Sequence, residues 1–547
     1  MQAQTLYVNG RVITVDSADR ILEAVAVADG KILAVGSTAQ VLTLQTPKST
    51  IIDLAGKTMI PGFIDGHSHF LGLFSTPRVY LGSPPMGEMR DINDLVNALV
   101  RFQQERNLAL DEWVLGFGYD QDQLTEGRHP TKKELDKAFP NTPVFILNIN
   151  GHMGVANSAA LHISGVDMLT PNPTGGAIEK DAQTGELTGL LQENAKALLA
   201  IPPETSLSLE KRLVALDEQQ LLYASHGITT AQEGLTNLSN LKLLQEASNR
   251  QRLFIDIESL PAADYLEEVM ADTSFVFGEL KNHLKLAGAK LIADGSPQGK
   301  TAYFSEPYLT EVPGCDHGDC VGFPTIDQQQ FNAFILKTFQ QGIRPFVHCN
   351  GDATIDMYLQ AIDYANARLG IATAEYRPVS IHSQFVRPDQ LDRYYDLGVI
   401  PAFFSNHAFF WGDVHVRNLG VDRASFLSPL KSVRDRGIIA TNHTDYPVTP
   451  VNQLFLLWTA INRETRSGQI IGADERLTVL EALRTVTING AYQYHEEAIK
   501  GSIEPGKLAD LVILSHDITQ IDPSTLRHVE VLETIKQGKT IYNQLHH

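Results

Sequence analysis

The chain reads as an α/β protein: a TIM (β/α)8 barrel, a small composite β-domain built by both termini, and a large insert after the first barrel strand. Three observations carry that reading. Short apolar runs alternate with helical stretches through the middle of the chain. Both ends consist of short alternating strands with turn residues between them. Histidine, lysine and aspartate recur where apolar runs end, the place at which a barrel keeps its reactive side chains.

The bulk composition bounds the answer. The sequence has 547 residues, 43% of them hydrophobic, ample for a large core. One core seldom grows past about 250–300 residues, so one large domain with appendages is expected. Lys and Arg number 44 against 64 Asp and Glu, a formal charge of −20. Nucleic acid and anionic membrane both require clustered basic residues, so neither is expected as a partner. No run reaches the ~18–20 apolar residues of a membrane span. The opening MQAQTLYVNGRVITVD has neither the basic nor the apolar region of a signal peptide. A cytoplasmic protein is expected. Three cysteines, Cys315, Cys320 and Cys349, fit a reducing compartment. The run Cys315-Asp-His317-Gly-Asp-Cys320 matches no common zinc module and reads as a Gly-rich surface loop with free thiols, a small metal or disulfide loop being the alternative.

The elements follow in order. LYVNGRVITVD, AVAVADGKILAVG and STIIDLAGKTMI read as short strands, with hairpin signals at Asn9-Gly10 and Asp29-Gly30. The far end repeats the style in ADLVIL and VLETIKQGKTIYN. Neither end makes a stable sheet alone, so residues 1–58 and 500–547 are expected to pair as one β-domain, with 59–499 as the barrel domain. Eight barrel strands are expected in MIPGFID and near 227–234, 252–260, 284–295, 343–349, 379–385, 398–405 and 437–445. LDEQQLLYASHG and QQQFNAFILKTFQQG fit between them as helices closing on Gly. More than 150 residues separate the first two barrel strands, too many for a structureless loop. Their strand-like runs WVLGFGYD and TPVFILNIN mark an inserted subdomain at about 75–210.

Chemistry concentrates in a few positions. In an extended strand, residues two apart share a face, so His67 and His69 aim two imidazoles at one point. Lys290, His348, His382 and Asp445 each end an apolar run of their own. Imidazole and carboxylate suit Zn²⁺ or a similar divalent ion, which lowers the pKa of bound water to about 7. Lys290, in the apolar run LAGAKLIADG, must find a partner such as Asp294 or lose its charge. Asp445 is the candidate general base; its bland reading is a loop cap. Asp294-Gly-Ser-Pro-Gln-Gly299-Lys300-Thr301 nearly spells a phosphate loop, but Asp294 opposes phosphate. The sequence has no GxSxG elbow to anchor a serine hydrolase.

In PGFIDGHSH, FVHCNGD, SIHSQF, NHTDYPV and SIEPGKLADLVIL the chain resembles the amidohydrolase superfamily. In GFGYDQDQLTEGRHPTKKELDKAFPNTPVFILNINGHMGVANSAAL, GLLQENA and AKLIADGS it is similar to the YtcJ-like branch, which includes N-substituted formamide deformylases. The resemblance spans essentially the whole chain. It implies one divalent metal on His67, His69 and Asp445, and a second on His348 and His382. Lys290 would bridge them as N6-carboxylysine, so one or two Zn²⁺ ions per chain are expected. It implies cleavage of the C–N bond of a small N-acyl or N-formyl amide, with Asp445 and His152 catalytic, and a homodimer by analogy. His152 and Glu193 are expected to face the substrate, Glu193 equally reading as a cap or a solvent-facing pair. Phe403-Phe404 and Phe409-Phe410-Trp411, after the seventh strand, read as pocket lining or as lid packing. Rival readings are ester, lactone or carbamate hydrolysis, ring deamination and a non-catalytic scaffold. Deaminase relatives carry a Glu close after the fifth-strand His, and His348-Cys-Asn-Gly-Asp352 lacks it. The scaffold reading requires lost ligands, and all six positions are filled.

Overall fold

A computed structural model describes residues 3–72, 78–84, 87–201, 208–312, 315 and 318–545. The expected start of the insert near 75 lies outside the described residues, as does His317. Eight strand segments run parallel in one succession: Phe63–Ile64, Ile228–Thr236, Asp256–Pro261, a broken fourth strand, Pro345–Cys349, Val379–His382, Ile400–Phe403 and Thr441–Asn442. The fourth strand breaks at Ala287-Gly288. Its first half, Leu284–Leu286, pairs back with the third strand, and its second half, Ala289–Ile292, pairs forward with the fifth. Strands eight and one meet through the Asp445 amide, which donates to the His67 carbonyl across 3.1 Å. The helices Leu209–Ser225 and Gln328–Gln340 stand where expected, followed by Gly227 and Gly342 at positive φ. The main core packs aliphatic residues of these helices against the strands.

The chain ends share one six-stranded sheet. Its order is Lys539–Asn543, Val531–Lys536, Leu511–Leu514, Thr58–Pro61, Arg11–Ile13, Ile21–Leu22. MIPGFID is therefore not one barrel strand. Its first part lies between Leu511–Leu514 and Arg11–Ile13, and only Phe63–Ile64 enters the parallel sheet. A second sheet orders Lys31–Gly36, Ala24–Ala28, Thr5–Val8, Thr50–Asp53. Asp29-Gly30 makes the expected hairpin, with both residues at positive φ. Asn9-Gly10 does not: Thr5–Val8 and Arg11–Ile13 belong to different sheets, because each finds its partners far along the chain.

Ion pairs tie the β-sheet of the ends to the base of the parallel strands. Lys500 and Lys536 stand 2.5 and 2.6 Å from Asp256, and Lys536 stands 2.8 Å from Asp510. Burial alone would raise the Asp256 carboxyl, but Lys500 and Lys536 hold it well below the ordinary range.

The insert has a six-stranded sheet, ordered Gly176–Lys180, Leu187–Glu193, Met153–Ala156, Val144–Asn148, Val114–Tyr119, Val79–Tyr80. It packs two apolar clusters of its own, one beneath the helix Ile92–Arg106. Cys315 and Cys320 are bonded to each other rather than free, their Cα atoms 6.3 Å apart. Cys320 reaches its partner from the edge of an apolar cluster with Phe304, Tyr308 and Phe385. Among the described residues, no helix is long and apolar enough to cross a membrane.

Candidate metal centre

His67 lies just past the first parallel strand, in a bend rather than in extended backbone. Its ring still meets that of His69, with centroids 5.2 Å apart, while the Ser68 hydroxyl turns away and donates to the Gln232 carbonyl. The imidazole of His67 is fixed from behind. Gln232 Oε1 lies 2.5 Å from Nδ1, and the Gln232 amide nitrogen is itself spent on Gly66 O and the Tyr494 hydroxyl. With Nδ1 carrying the proton, Nε2 is left as a lone-pair donor. Asp445 Oδ1 stands 3.5 Å from Nε2 of both His67 and His69. Two donors bound tetrahedrally at about 2.1 Å from one ion stand about 3.4 Å apart. The spacing is thus too long for hydrogen bonds and right for a shared cation. Ligand atoms of these three residues all lie within 4.8 Å of one another.

The other three residues lie around this group. Lys290, 1% exposed, brings Nζ to 3.5 Å from His67 Nε2, and burial pushes its pKa down to about 7. His348 and His382 end the fifth and sixth strands, their rings 4.6 Å apart, and the His382 ring lies 5.4 Å from that of His67. Burial and neighbouring cations hold His67, His348 and His382 well below the usual imidazole range, hence neutral, the form that binds a metal. Asp294 is not a partner of Lys290 here. It accepts from His348 Nδ1, from the amides of Asn350 and Gly351, and from the Thr354 hydroxyl. The segment that imitates a phosphate loop therefore orients a histidine and ties down the turn that leads into the helix Asp352–Leu369.

The insert contributes the facing wall. Met153 pairs with Gln192 across two antiparallel strands, which sets His152 beside Glu193. His152 Nδ1 lies 2.8 Å from Glu193 Oε2, and its ring lies 4.9 Å from that of His348. Burial raises the Glu193 carboxyl, but His152 and Lys196 more than offset it. Phe410 and Trp411 do not line the cavity. They pack with Phe117, Ile149 and Val414 between the insert and the helix Asn406–Leu419, and Trp411 donates to Asp120 across 2.9 Å.

Sequence reasoning missed three neighbours of the centre, Gln232, Asp294 in its orienting role and His443, whereas Phe404 does line the cavity's narrow side. His443 is fully buried, its ring 5.1 Å from that of His67 and 5.0 Å from that of His382. It sits two residues before Asp445 in NHTD, and that proximity was the available signal. The centre opens into a cavity of ≈ 700 Å³ lined also by Asn194, Lys196, Asp264 and Tyr265.

Known proteins are similar to this chain over most of its length. The chain is 28% identical to the N-substituted formamide deformylase of Arthrobacter pascens, over 98% of each chain. It is 27% identical to the putative amidohydrolase YtcJ of Bacillus subtilis strain 168, over 95% of this chain and 96% of that one. Among solved structures, an uncharacterized metal-dependent hydrolase of Pyrococcus horikoshii OT3 has the same fold, with a TM-score of 0.72. It is 24% identical, over 95% of this chain and 99% of that one. The model of the Amidohydrolase family matches residues 50–542, a span that contains every residue of the centre, and the chain belongs to that family.

Proposed function

We propose that the protein is a metal-dependent hydrolase that cleaves the C–N bond of a small N-acyl or N-formyl amide, within a closed (β/α)8 barrel. One observation carries the reading: six side chains of metal-ligand type, from five different strand ends, converge on a wide cavity. Family membership and the similarity to a formamide deformylase support it. The donor set fits a borderline divalent ion such as Zn²⁺, since it offers neutral imidazoles, a carboxylate and an Oδ1 of Asp445 with no hydrogen-bond partner. His67, His69 and Asp445 would hold one ion, and His348 and His382 a second. Lys290 would bridge them as N6-carboxylysine: it is buried, and among the described residues no carboxylate lies within ion-pair distance of it.

An ion held by these residues would supply polarisation of the substrate carbonyl and a water acidic enough to react at neutral pH. The protein's own groups do the rest. Asp445 takes a proton from the attacking water and passes it to the amide nitrogen. The water oxygen joins the acyl carbon, the C–N bond breaks, and the amine leaves with that proton. Glu193 holds Nδ1 of His152, which orients the ring beside the scissile carbonyl.

The test is metal content per chain in the wild type, Lys290→Ala and Asp445→Ala, with a screen of N-acyl and N-formyl amides. The expected result is about two ions in the wild type, fewer in Lys290→Ala, and a fall in kcat of about 10²–10⁴ in Asp445→Ala. One ion unaffected by Lys290→Ala would remove the bridge. No ion after reconstitution would sink the mechanism.

A further inference from the structure

The cavity at the centre is lopsided. Its wide part offers ≈ 700 Å³, but past His348, His382 and Asp445 it narrows to an end of ≈ 20 Å³. One water needs about 10–15 Å³ of such space, so the narrow end has room for about one or two non-hydrogen atoms. Its walls are braced. Phe404 is 1% exposed, its ring 4.6 Å from that of His407, 4.9 Å from His443 and 5.8 Å from His382. His407 is backed in turn by Trp411 at 4.5 Å and by a contact of 3.1 Å with His415. Phe404 cannot swing aside without displacing imidazoles of the centre. Gln298, 4% exposed, presents an Oε1 without a hydrogen-bond partner.

The wide part carries Glu193, offset by His152 and Lys196, and Asp264 at its exposed rim. Asp445 lies where the two parts meet, and the narrow end past it offers polar groups such as Ser296 and Gln298. A departing amine gains a proton and is favoured beside Asp264, whereas an acyl group that ends as an anion is disfavoured there. We propose that Phe404, Val448 and Gln298 set the acyl specificity: the narrow end admits a formyl or acetyl group, and the wide part takes the N-substituent. This rests on the amide reading above and names the substrate class within it.

Two measurements on metal-reconstituted protein test the assignment. The first is kcat/KM for formyl, acetyl, butanoyl and benzoyl amides of one amine. The second is calorimetric binding of formate, acetate, butanoate and benzoate. Wild type should turn over the formyl amide at least a hundred-fold better than the butanoyl amide, and bind butanoate at least ten-fold more weakly than acetate. Val448→Ala and the milder-packing Phe404→Leu should each narrow the gap about ten-fold. Equal binding of butanoate and formate by wild type, or an unchanged gap in both variants, would overturn the proposal. Discrimination among carboxylates without turnover of any amide would uphold the pocket and sink the amide reading. Turnover of every amide without discrimination would do the reverse.

Discussion

Gln232 decides which nitrogen His67 offers to an ion. Its carbonyl oxygen claims Nδ1, and its own amide is pinned by Gly66 and Tyr494, so it cannot turn its nitrogen inward. Replacing it by a residue of similar bulk and no acceptor should lower metal affinity about 10–100-fold. Gln232→Leu in a chelator competition is the measurement, with unchanged affinity counting against the orienting role. The contrast with His67 itself explains what could be read in the sequence. A histidine pair at the end of an apolar run has few other uses, so the six ligand-type residues were legible. A glutamine inside a strand has many, and only folding carries residue 232 to residue 67. Asp294 was visible only as an alternative partner for Lys290, because spacing alone cannot say whether an acid after the fourth strand faces a lysine or a histidine. Phe410 and Trp411 show the same limit: a helix fixes which residues share a face, but its neighbours decide what that face meets.

At the scale of elements, the second strand must pass very close to the first ligand. A Cβ on Gly234 would lie 2.4 Å from His67 Cε1 and 2.9 Å from the Ser68 carbonyl, well inside contact distance. One of the two would have to move, and His67 is held by Gln232. Gly234→Ala should therefore fold, as the secondary structure seen by far-UV circular dichroism would report, yet lose at least half of its bound metal. Full metal occupancy in that variant would show that the strand end yields more easily than its hydrogen bonds imply. The elements were legible to different depths. Strands with apolar residues on both faces were found, and so were helices closing on Gly. The eighth was expected over nine residues and is only Thr441–Asn442, since the rest of its run turns inward to deliver His443 and Asp445. Asn9-Gly10 has the composition of a hairpin, but composition cannot reveal that distant strands compete for both flanks.

For the whole molecule, the buried ion cluster around Asp256 fastens two parts of the fold. Lys536 comes from the sheet of the chain ends, Lys500 from the segment leading into it, and Asp256 from the third parallel strand. Breaking a buried pair strands the opposite charges, at a cost of about 3–5 kcal/mol. Asp256→Ala should lose stability of that order in denaturant melts at neutral pH. Its depressed carboxyl contributes stability that is complete above the unfolded value of about 3.9 and is lost as pH falls through the folded value. The gap between variant and wild type should therefore shrink in acid; a gap independent of pH would assign the loss to packing instead.

The strand Thr58–Pro61 lies against Leu511–Leu514 on one side, and six residues beyond it comes His67. On a ribosome these partners emerge far apart in time. At about 5–20 residues per second, the segment that braces the histidine pair arrives tens of seconds after the pair itself. Throughout that interval His67 and His69 have no finished frame, and Asp445, their third companion, is also still to come. On the proposed metal reading, ion capture would accordingly be one of the last events of this protein's birth, and a chain whose synthesis stops early would carry the most conspicuous motif of the sequence with nothing to hold.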